Sequence, residues 1–148
     1  MLPISKEYPI SIRYSDPSFP NEKITHQGKM VKNQKWILGR HTGIDFECPI
    51  GTPVKSTENG KIITASYDKC VGYFIKIYHE EQKVVSLYYH LSKILDNIKL
   101  NSTIDKGQII GYSGDSGTFC YGPHLHYEER KFPYNLGSDI EPSLVKFD

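Results

Sequence analysis

Apolar and polar residues alternate through the middle and the C-terminal half of the chain. Val, Ile, Tyr and Phe recur at every second position, which is the period of a strand with one buried face. Turn-forming residues such as Asn59-Gly60 separate the runs, because Asn and Gly tolerate positive φ. The pattern predicts an all-β fold, a compact antiparallel and sandwich-like sheet with few or no helices. The predicted strands cover residues 60–66, 72–80, 83–92, 107–114 and 124–130.

The first 40 residues follow neither a helical nor a strand period. A short strand is predicted near residues 9–15, while residues 15–40 are polar and contain Pro17 and Pro20. We expect residues 15–40 to form a long loop bordering a groove, because long loops in compact domains are often functional. Residues 92–100 have room for a single helical turn. Since no repeat or domain boundary is evident, we predict that residues 1–148 form one domain.

Charge and composition then exclude several function classes. The chain has 18 basic and 17 acidic residues, so we expect no nucleic-acid partner. No apolar run is long enough for membrane insertion. The N-terminal residues lack the apolar centre of a secretory signal peptide, so we expect either a removed leader or pro-segment, or release by lysis or in a phage particle. Cys48, Cys70 and Cys120 are an odd number, which favours three reduced thiols over one disulfide with one free thiol.

The histidines add candidate chemistry. In "GPHLHYEE", His124 and His126 are two residues apart in a predicted strand and therefore project from one face. His41 and Asp45 are four residues apart, and a loop bent at Gly43 can bring both side chains together as it enters a strand. A catalytic zinc takes three protein ligands and leaves one position for water. The pattern predicts that His41, Asp45 and His126 bind a metal ion.

Two further histidines are then expected beside the metal. His124 shares a face with the third ligand, and His90 ends a strand whose alternation sets it on the same side as Tyr88. An imidazole can accept a proton from an attacking water or donate one to a leaving amine. Two such side chains fit hydrolysis better than a structural zinc site, which is closed by four ligands. We interpret His26 and His79 as structural side chains.

The combination of His41-x-Gly43-x-Asp45, "YYHLS" and "GPHLHYE" resembles the lysostaphin-type (LytM-like) zinc endopeptidases of bacterial cell walls. The connecting segments also match in order: "GIDFECPIGTPVKSTENGKI", "IDKGQIIGYSGDSG" and "DIEPSLV". The likeness covers residues 8–146, and three motifs in order are more specific than any one alone. The resemblance implies a compact antiparallel β structure with a groove across its main sheet.

The resemblance also implies a function and a site. It makes His41, Asp45 and His126 the ligands of one Zn²⁺ per chain, and His90 and His124 the catalytic pair that polarises water or stabilises the tetrahedral intermediate. The substrate would be a peptide bond of peptidoglycan, in the cross-bridge or in the stem peptide. The expected location is extracellular, periplasmic or cell-wall-associated, or part of a phage particle.

The sequence departs from the family in two places. The loop before the second histidine motif carries Phe119 and Tyr121, and we expect both to contact substrate because loops there line the groove in the family. Many members have a tyrosine shortly before the first ligand, acting on the oxyanion; here Trp36 and Arg40 occupy that stretch, and Tyr14 is one alternative. We expect a monomer that is targeted to the wall by a partner or a virion component.

Two other functions remain open at this point. Some relatives with this fold are catalytically inactive binding or regulatory modules, but they typically lack one or more of the five His and Asp positions, all of which are present here. A D,D-peptidase or dipeptidase of another zinc family is the second alternative, and there the first ligand pair is spaced more widely than four residues. The pattern leaves open which peptidoglycan bond is cleaved and whether the source is bacterial or phage.

Overall fold

The computed structural model describes residues 1–17, 22–24, 30–32, 38 and 40–146, with the backbone alone for 22–24 and 30–32. No helix long and apolar enough to cross a bilayer occurs in these residues. Their secondary structure is entirely β, which confirms the predicted all-β class. Twelve strands occur in them: β1 (Ile10–Ile12), β2 (Glu22–Ile24), β3 (Met30–Lys32), β4 (Ile44–Glu47), β5 (Pro53–Lys55), β6 (Gly60–Asp68), β7 (Gly72–His79), β8 (Val84–Ile94), β9 (Thr103–Ile104), β10 (Ile109–Ser113), β11 (His124–Arg130) and β12 (Asp139–Ile140).

Ten of these strands form one antiparallel sheet, in which seven lie in the order β1-β4-β11-β8-β7-β6-β9. The strand β12 pairs with β11, and β5 pairs with β10. The long strand β8 connects the parts of the sheet, because Val84–Leu91 pair within the span of β7 while Leu91–Ile94 pair with β10. This topology sets β4, β11 and β8 side by side, so that the three histidine motifs lie on adjacent strands or just before them.

The five predicted strands correspond to β6, β7, β8, β10 and β11, and the strand expected near residues 9–15 corresponds to β1. The prediction of a single helical turn in residues 92–100 is wrong. There β8 continues to Ile94 because its end pairs with β10, and a non-helical turn follows.

The segment expected to be a long loop, residues 15–40, contains β2 and β3, which pair with each other as a separate two-stranded sheet. His26 and Trp36 lie outside the described residues. The groove-bordering role of this segment stays a prediction, as does the single-domain organisation.

One face of the main sheet forms the core. Each large aliphatic side chain that it removes from water contributes about 1.5–3 kcal/mol to folding. The rings of Tyr88 and Tyr127 pack edge to face with centroids 5.3 Å apart, and both hydroxyls lie within 3.3 Å of Thr57 Oγ1. The buried residues on this face include Ile62, Ile75, Ile77, Tyr88, Leu125 and Tyr127.

The opposite face of the same strands is aromatic and charged. Tyr89 and His126 pair across β8 and β11, and their rings stack with centroids 5.2 Å apart at an interplanar angle of 9°. Glu128 and Arg130 follow along β11 at alternate positions and form an ion pair. The candidate site lies on this side of the sheet.

Candidate metal centre

His41, Asp45 and His126 converge where β4 meets β11, and we call them the ligand trio. His126 pairs with Asp45 across the two strands. Its Nδ1 lies 2.9 Å from Asp45 Oδ1 and 3.2 Å from His41 Nε2, and His41 Nε2 lies 3.1 Å from Asp45 Oδ1. Two nitrogen ligands of a tetrahedral zinc are about 3.3 Å apart. Three buried donor atoms thus face one another at a spacing suited to a metal ion.

Gly43 explains how His41 and Asp45 come close to His126. A Cβ on Gly43 would lie 2.2 Å from the carbonyl oxygen of Tyr127 and 3.0 Å from His126 Nε2. Any side chain would therefore push β11 away from the segment that carries His41 and Asp45. The close approach of the two backbones requires glycine at this position, in agreement with the glycine-bent loop predicted from the sequence.

Hydrogen bonds behind the trio determine which histidine nitrogens face inward. His41 Nδ1 donates to the carbonyl of Arg13 at 3.1 Å, which leaves the Nε2 lone pair toward Asp45. His126 Nε2 donates to Glu128 Oε1 at 3.0 Å, because a carboxylate accepts, and Nδ1 faces the trio. Partners of this kind are typical of metal-binding histidines, since they fix the ring and raise its basicity.

Glu128 is itself firmly held. Thr42 Oγ1 donates to its Oε1 at 2.7 Å, and Arg130 Nε donates to its Oε2 at 2.5 Å. Burial opposes ionisation, but the hydrogen bond from His126 and the charge of Arg130 lower the pKa of Glu128 to about 2. Sequence reasoning missed Glu128, although alternation from His126 along β11 places it on the same face.

The charges of the trio follow from its surroundings. Burial disfavours an ionised Asp45, but His124, His126 and His41 outweigh it and hold the pKa of Asp45 well below its usual range. Burial also opposes a charged His126, yet Asp45 and Glu128 raise the pKa of His126 to about 9. The ionised carboxylates of Asp45 and Glu128 therefore flank the protonated ring of His126. A divalent cation bound at the trio would balance the same negative charge. Two imidazoles with one carboxylate form a donor set that suits Zn²⁺.

His90 and His124 lie beside the trio, with their ring centroids 4.8 Å apart. His124 Nε2 is 3.5 Å from Asp45 Oδ2. Each ring donates through Nδ1 to a carbonyl at 2.8 Å, His90 to Ser116 and His124 to Gly122. The Nε2 atom of each ring therefore carries a lone pair.

Both of these rings are neutral near pH 7. Burial, reinforced by the neighbouring His124 and His126, lowers the pKa of His90 to about 3. Burial also lowers the pKa of His124, although the Asp45 carboxylate opposes the shift. Neutral imidazoles with a free lone pair are able to accept a proton.

His90 reaches this side of the sheet through a break in the alternation of β8. Tyr88 faces the core, so the expectation that His90 lies on the same side as Tyr88 is wrong. The backbone at His90 has φ 66°. Between the pairs Tyr88↔Ile75 and Leu91↔Tyr73, β8 has two residues and β7 has one, so β8 forms a bulge here. A bulge of this kind re-aims a side chain, and positive φ at a non-glycine residue inside a strand makes His90 a candidate for a functional role.

The structure separates the candidate tyrosines. The ring of Tyr121 stacks on His124 with centroids 4.2 Å apart, and its hydroxyl donates to Asp45 Oδ2 at 2.9 Å. Tyr14, the alternative considered for the oxyanion, instead donates to Asp139 Oδ2 at 2.9 Å. Phe119, expected to contact substrate, is 47% exposed. Tyr121 thus brings its hydroxyl to the trio, while Phe119 remains partly accessible to a ligand.

All three cysteines are free, in agreement with the interpretation as reduced thiols. Cys48 belongs to the hydrophobic core. Cys120, which sequence reasoning did not assign to the site, is buried with its Sγ 3.5 Å from His124 Nδ1.

A comparison with known families matches residues 39–142 to peptidase family M23. This stretch contains all five of the predicted histidine and aspartate positions. The chain belongs to peptidase family M23. This assignment confirms the resemblance to lysostaphin-type peptidases and argues against a peptidase of another zinc family.

Curated relatives of this M23 chain include lysostaphin and a protein named as a peptidoglycan endopeptidase. It is 40% identical to lysostaphin from Staphylococcus simulans over 109 residues, which are 72% of this chain and 22% of that relative. It is 41% identical to the peptidoglycan DD-endopeptidase ShyA of Vibrio cholerae over 88 residues, which are 60% of this chain and 20% of that relative. The chain therefore spans about a fifth of the length of these two relatives.

Solved structures share the fold. The catalytic domain of lysostaphin, described as an antimicrobial peptidase, matches with a TM-score of 0.73 at 28% identity, covering 94% of this chain and 95% of that one. A zinc-containing peptidase from Vibrio cholerae matches with a TM-score of 0.65 at 32% identity, covering 86% of this chain and 35% of that one. The antiparallel β architecture is therefore that of M23 peptidases.

Proposed function

We propose that this M23 chain is a zinc-dependent endopeptidase that hydrolyses peptide bonds of bacterial peptidoglycan, in the cross-bridge or in the stem peptide. The observation that carries the proposal is the ligand trio, three buried donor atoms 2.9–3.2 Å apart, with two neutral histidines beside it. The names of similar proteins support the metal and the substrate, since one is a zinc-containing peptidase and another a peptidoglycan endopeptidase.

The trio would hold the zinc through His41 Nε2, Asp45 Oδ1 and His126 Nδ1. A zinc ion in that position supplies Lewis acidity, which polarises a carbonyl group and lowers the pKa of water. The chain contributes the orientation of the ligands, because Glu128 and the Arg13 carbonyl fix the two rings. It also contributes burial, which strengthens electrostatic interactions inside the site.

His90 and His124 would carry the proton transfers. Each ring keeps its proton on Nδ1 and offers the Nε2 lone pair. One ring accepts a proton at Nε2 from the attacking water. The other assists the developing oxyanion or donates to the leaving amine after that proton has been passed to its own Nε2, because a bare lone pair cannot donate. The Tyr121 hydroxyl, which donates to Asp45 in this structure, would be a further donor to an oxyanion after its proton turns away from that carboxylate.

Further proposals concern the residues that contact the substrate, the location of the enzyme, its oligomeric state and its targeting. Phe119 and Tyr121 would contact the peptide from the loop that precedes β11. Because peptidoglycan lies outside the cytoplasm, the enzyme would act in the periplasm, at the cell wall or as part of a phage particle. We propose a monomer, with a partner or virion component providing the targeting.

The direct test is an assay of the purified protein on cell-wall sacculi of several bridge types. We expect soluble peptide fragments, no release in the presence of a chelator, and recovery when Zn²⁺ is added back. Mass spectrometry of the fragments identifies the new amine terminus and therefore the bond. Binding to sacculi without any released peptide would instead establish an inactive binding module.

A pair of variants tests the assignment of ligands and catalysts. His90→Ala should abolish hydrolysis while zinc content stays near one per chain, because His90 lies outside the trio. His126→Ala should lose the zinc, because it removes one of three ligands. Metal analysis of both proteins after gel filtration provides the measurement, and a zinc content well below one per chain in His90→Ala would refute this division of roles.

A further inference from the structure

A second group of ligand-type side chains lies next to the trio. His90, Cys120 and His124 each offer one atom, and these atoms lie within 4.8 Å of one another. The three residues are 5%, 0% and 1% exposed. The proposed hydrolysis makes use of the two imidazoles but gives no role to the thiol.

We propose that Cys120, His124 and His90 form a second metal site, which binds a borderline or soft divalent cation such as Zn²⁺ or Cd²⁺ through a thiolate and two imidazoles. Occupancy of this site would withdraw both imidazoles from proton transfer and so inhibit the enzyme. The inhibition rests on the proposed function, whereas the binding does not.

The distances fit such a site. Cys120 Sγ lies 3.5 Å from His124 Nδ1. A tetrahedral zinc with Zn–S and Zn–N bonds of ordinary length separates sulfur from nitrogen by about 3.5 Å. Cys120 and His124 can therefore bind one ion without displacement of the backbone, and His90 offers a third donor atom within 4.8 Å of those of the other two residues.

The hydrogen bonds of the site are compatible with exchange for a cation. Cys120 Sγ and His124 Nδ1 both donate to the Gly122 carbonyl, at 3.0 and 2.8 Å. On metal binding, one proton leaves the thiol for solvent, and the imidazole proton of His124 moves from Nδ1 to Nε2. Asp45 Oδ2 lies 3.5 Å from that Nε2 and is available to accept.

The donor atoms distinguish this site from the trio. The trio offers two nitrogens and one carboxylate oxygen, while the second group offers two nitrogens and one sulfur. Thiolate ligands favour softer ions, so Cd²⁺ should prefer the second group relative to the trio. The sulfur also provides a spectroscopic signature that nitrogen and oxygen ligands lack.

The test is a Co²⁺ titration of protein stripped with a chelator, followed by absorption spectroscopy. Ligation by Cys120 should produce a thiolate-to-cobalt charge-transfer band in the near ultraviolet. Cys120→Ser should abolish the band, and Cys70→Ser, at a cysteine outside the group, should keep it. His41→Ala, which removes a member of the trio and leaves the second group intact, should also keep it. A wild-type titration without the band, or a band that persists in Cys120→Ser, would overturn the proposal.

Activity provides a separate measurement. Excess Cd²⁺ should inhibit the Zn²⁺-loaded wild type and Cys70→Ser alike, and the half-inhibitory concentration should rise at least about tenfold in Cys120→Ser, because one of three ligands is lost. Equal inhibition of Cys120→Ser would refute the inhibitory role even where the cobalt band is present. If no variant hydrolyses sacculi, the proposed function fails while the cobalt result still decides the metal site.

A measurement on the unmodified chain covers the case in which Cys120→Ser does not fold. Alkylation of the thiols, continued until the buried Cys120 has reacted in the metal-free protein and followed by mass spectrometry, should show that reaction slowed at least about tenfold by Cd²⁺, because a thiolate bound to metal is not available as a nucleophile. Cys70 should react at the same rate with and without the ion. Unprotected Cys120 at saturating Cd²⁺ would argue against the site.

Discussion

The two faces of the main sheet are built from neighbouring residues, but they obey different requirements. On the core face, Ile77, Tyr88 and Tyr127 follow regular alternation and are held by packing. On the opposite face, which carries the candidate site, His126 and Glu128 are also buried but charged. Packing accepts other side chains of similar volume, whereas the site face depends on individual donor atoms. Substitutions on the two faces should therefore affect different properties, stability on one and chemistry on the other.

Burial of the charged side chains on the site face lowers the free energy of unfolding, because buried ions lose their hydration. Only well-placed hydrogen-bond and ion-pair partners compensate for that loss. Each ion here has such partners: Asp45 has three histidines, and Glu128 has His126, Thr42 and Arg130. No buried side-chain nitrogen or oxygen in the described residues lacks a hydrogen-bond partner. A network this complete on one face of a sheet is consistent with selection for a site rather than for stability.

The largest difference between an effect on hydrolysis and an effect on stability is expected for His90→Asn. Hydrolysis should fall by about 10²–10⁴-fold, the usual contribution of a proton-transferring side chain. The free energy of unfolding should change by less than about 1 kcal/mol, because Asn tolerates the positive φ at this position. Activity on sacculi and urea denaturation of the same preparation measure both quantities. Unfolding of the variant at ordinary temperature would mean that the imidazole is needed for the fold as well as for hydrolysis.

The core face should show the reverse behaviour with Ile77→Ala. Ile77 is fully buried in the hydrophobic cluster on β7, away from the trio. Removal of its side chain should lower the free energy of unfolding by about 2–5 kcal/mol, through lost burial and the cavity left behind. The folded fraction should still bind one zinc and hydrolyse sacculi at the wild-type rate. A fall in activity per folded molecule would show that the two faces are coupled.

Glu128 and Glu129 offer a matched comparison, since they are adjacent on β11 and face opposite ways. Glu128→Gln should weaken zinc binding by about 10–100-fold, because the carboxylate orients His126 and raises its basicity. Glu129 instead accepts from the backbone amides of Ser143 and Leu144 at 2.7 and 3.0 Å, so Glu129→Gln should lower stability and leave zinc affinity unchanged. Competition with a chromophoric chelator measures the affinity, and equal losses in the two variants would contradict the positioning role of Glu128.

Local patterns predicted the regular parts of this structure. Alternation of apolar and polar residues identified β6, β7, β8, β10 and β11, because a strand with one buried face requires an apolar residue at every second position. The trio also followed from local features, two histidine motifs and the glycine between His41 and Asp45. The short strands β5 and β9 carry too few residues to establish a period, and they form through pairing with β10 and β6.

The side on which His90 lies was not predictable in this way. Its position depends on a bulge where β8 leaves β7 and continues along β10, which is a property of three strands rather than of one segment. The approach of Cys120 to His124 likewise depends on the fold of a loop, not on a repeat. Glu128 is different, since alternation from His126 was sufficient to identify it.

The smallest effect in this comparison is expected for His79, the histidine on the core face. It is fully buried, its Nδ1 donates to the Asn59 carbonyl at 2.8 Å, and its Nε2 lies 2.7 Å from Ser86 Oγ, as suits a structural side chain. Burial lowers the pKa of His79 below 6.5, although Asn59 and Glu129 oppose the shift. The folded chain therefore keeps His79 neutral under conditions in which the unfolded chain protonates it.

The sign of the pH dependence follows from this difference. Above about pH 6.5 both states are neutral at His79, and the residue adds no pH dependence. As the pH falls below that value, the unfolded chain binds a proton that the folded chain excludes, so stability decreases by at most about 1.4 kcal/mol per pH unit. The decrease from pH 7 to pH 5 should be smaller in His79→Gln, measured by urea denaturation with chelator present in both proteins. The histidines of the candidate site remain in both chains, so their contributions cancel, and equal slopes would show that His79 is protonated equally in the folded and unfolded states.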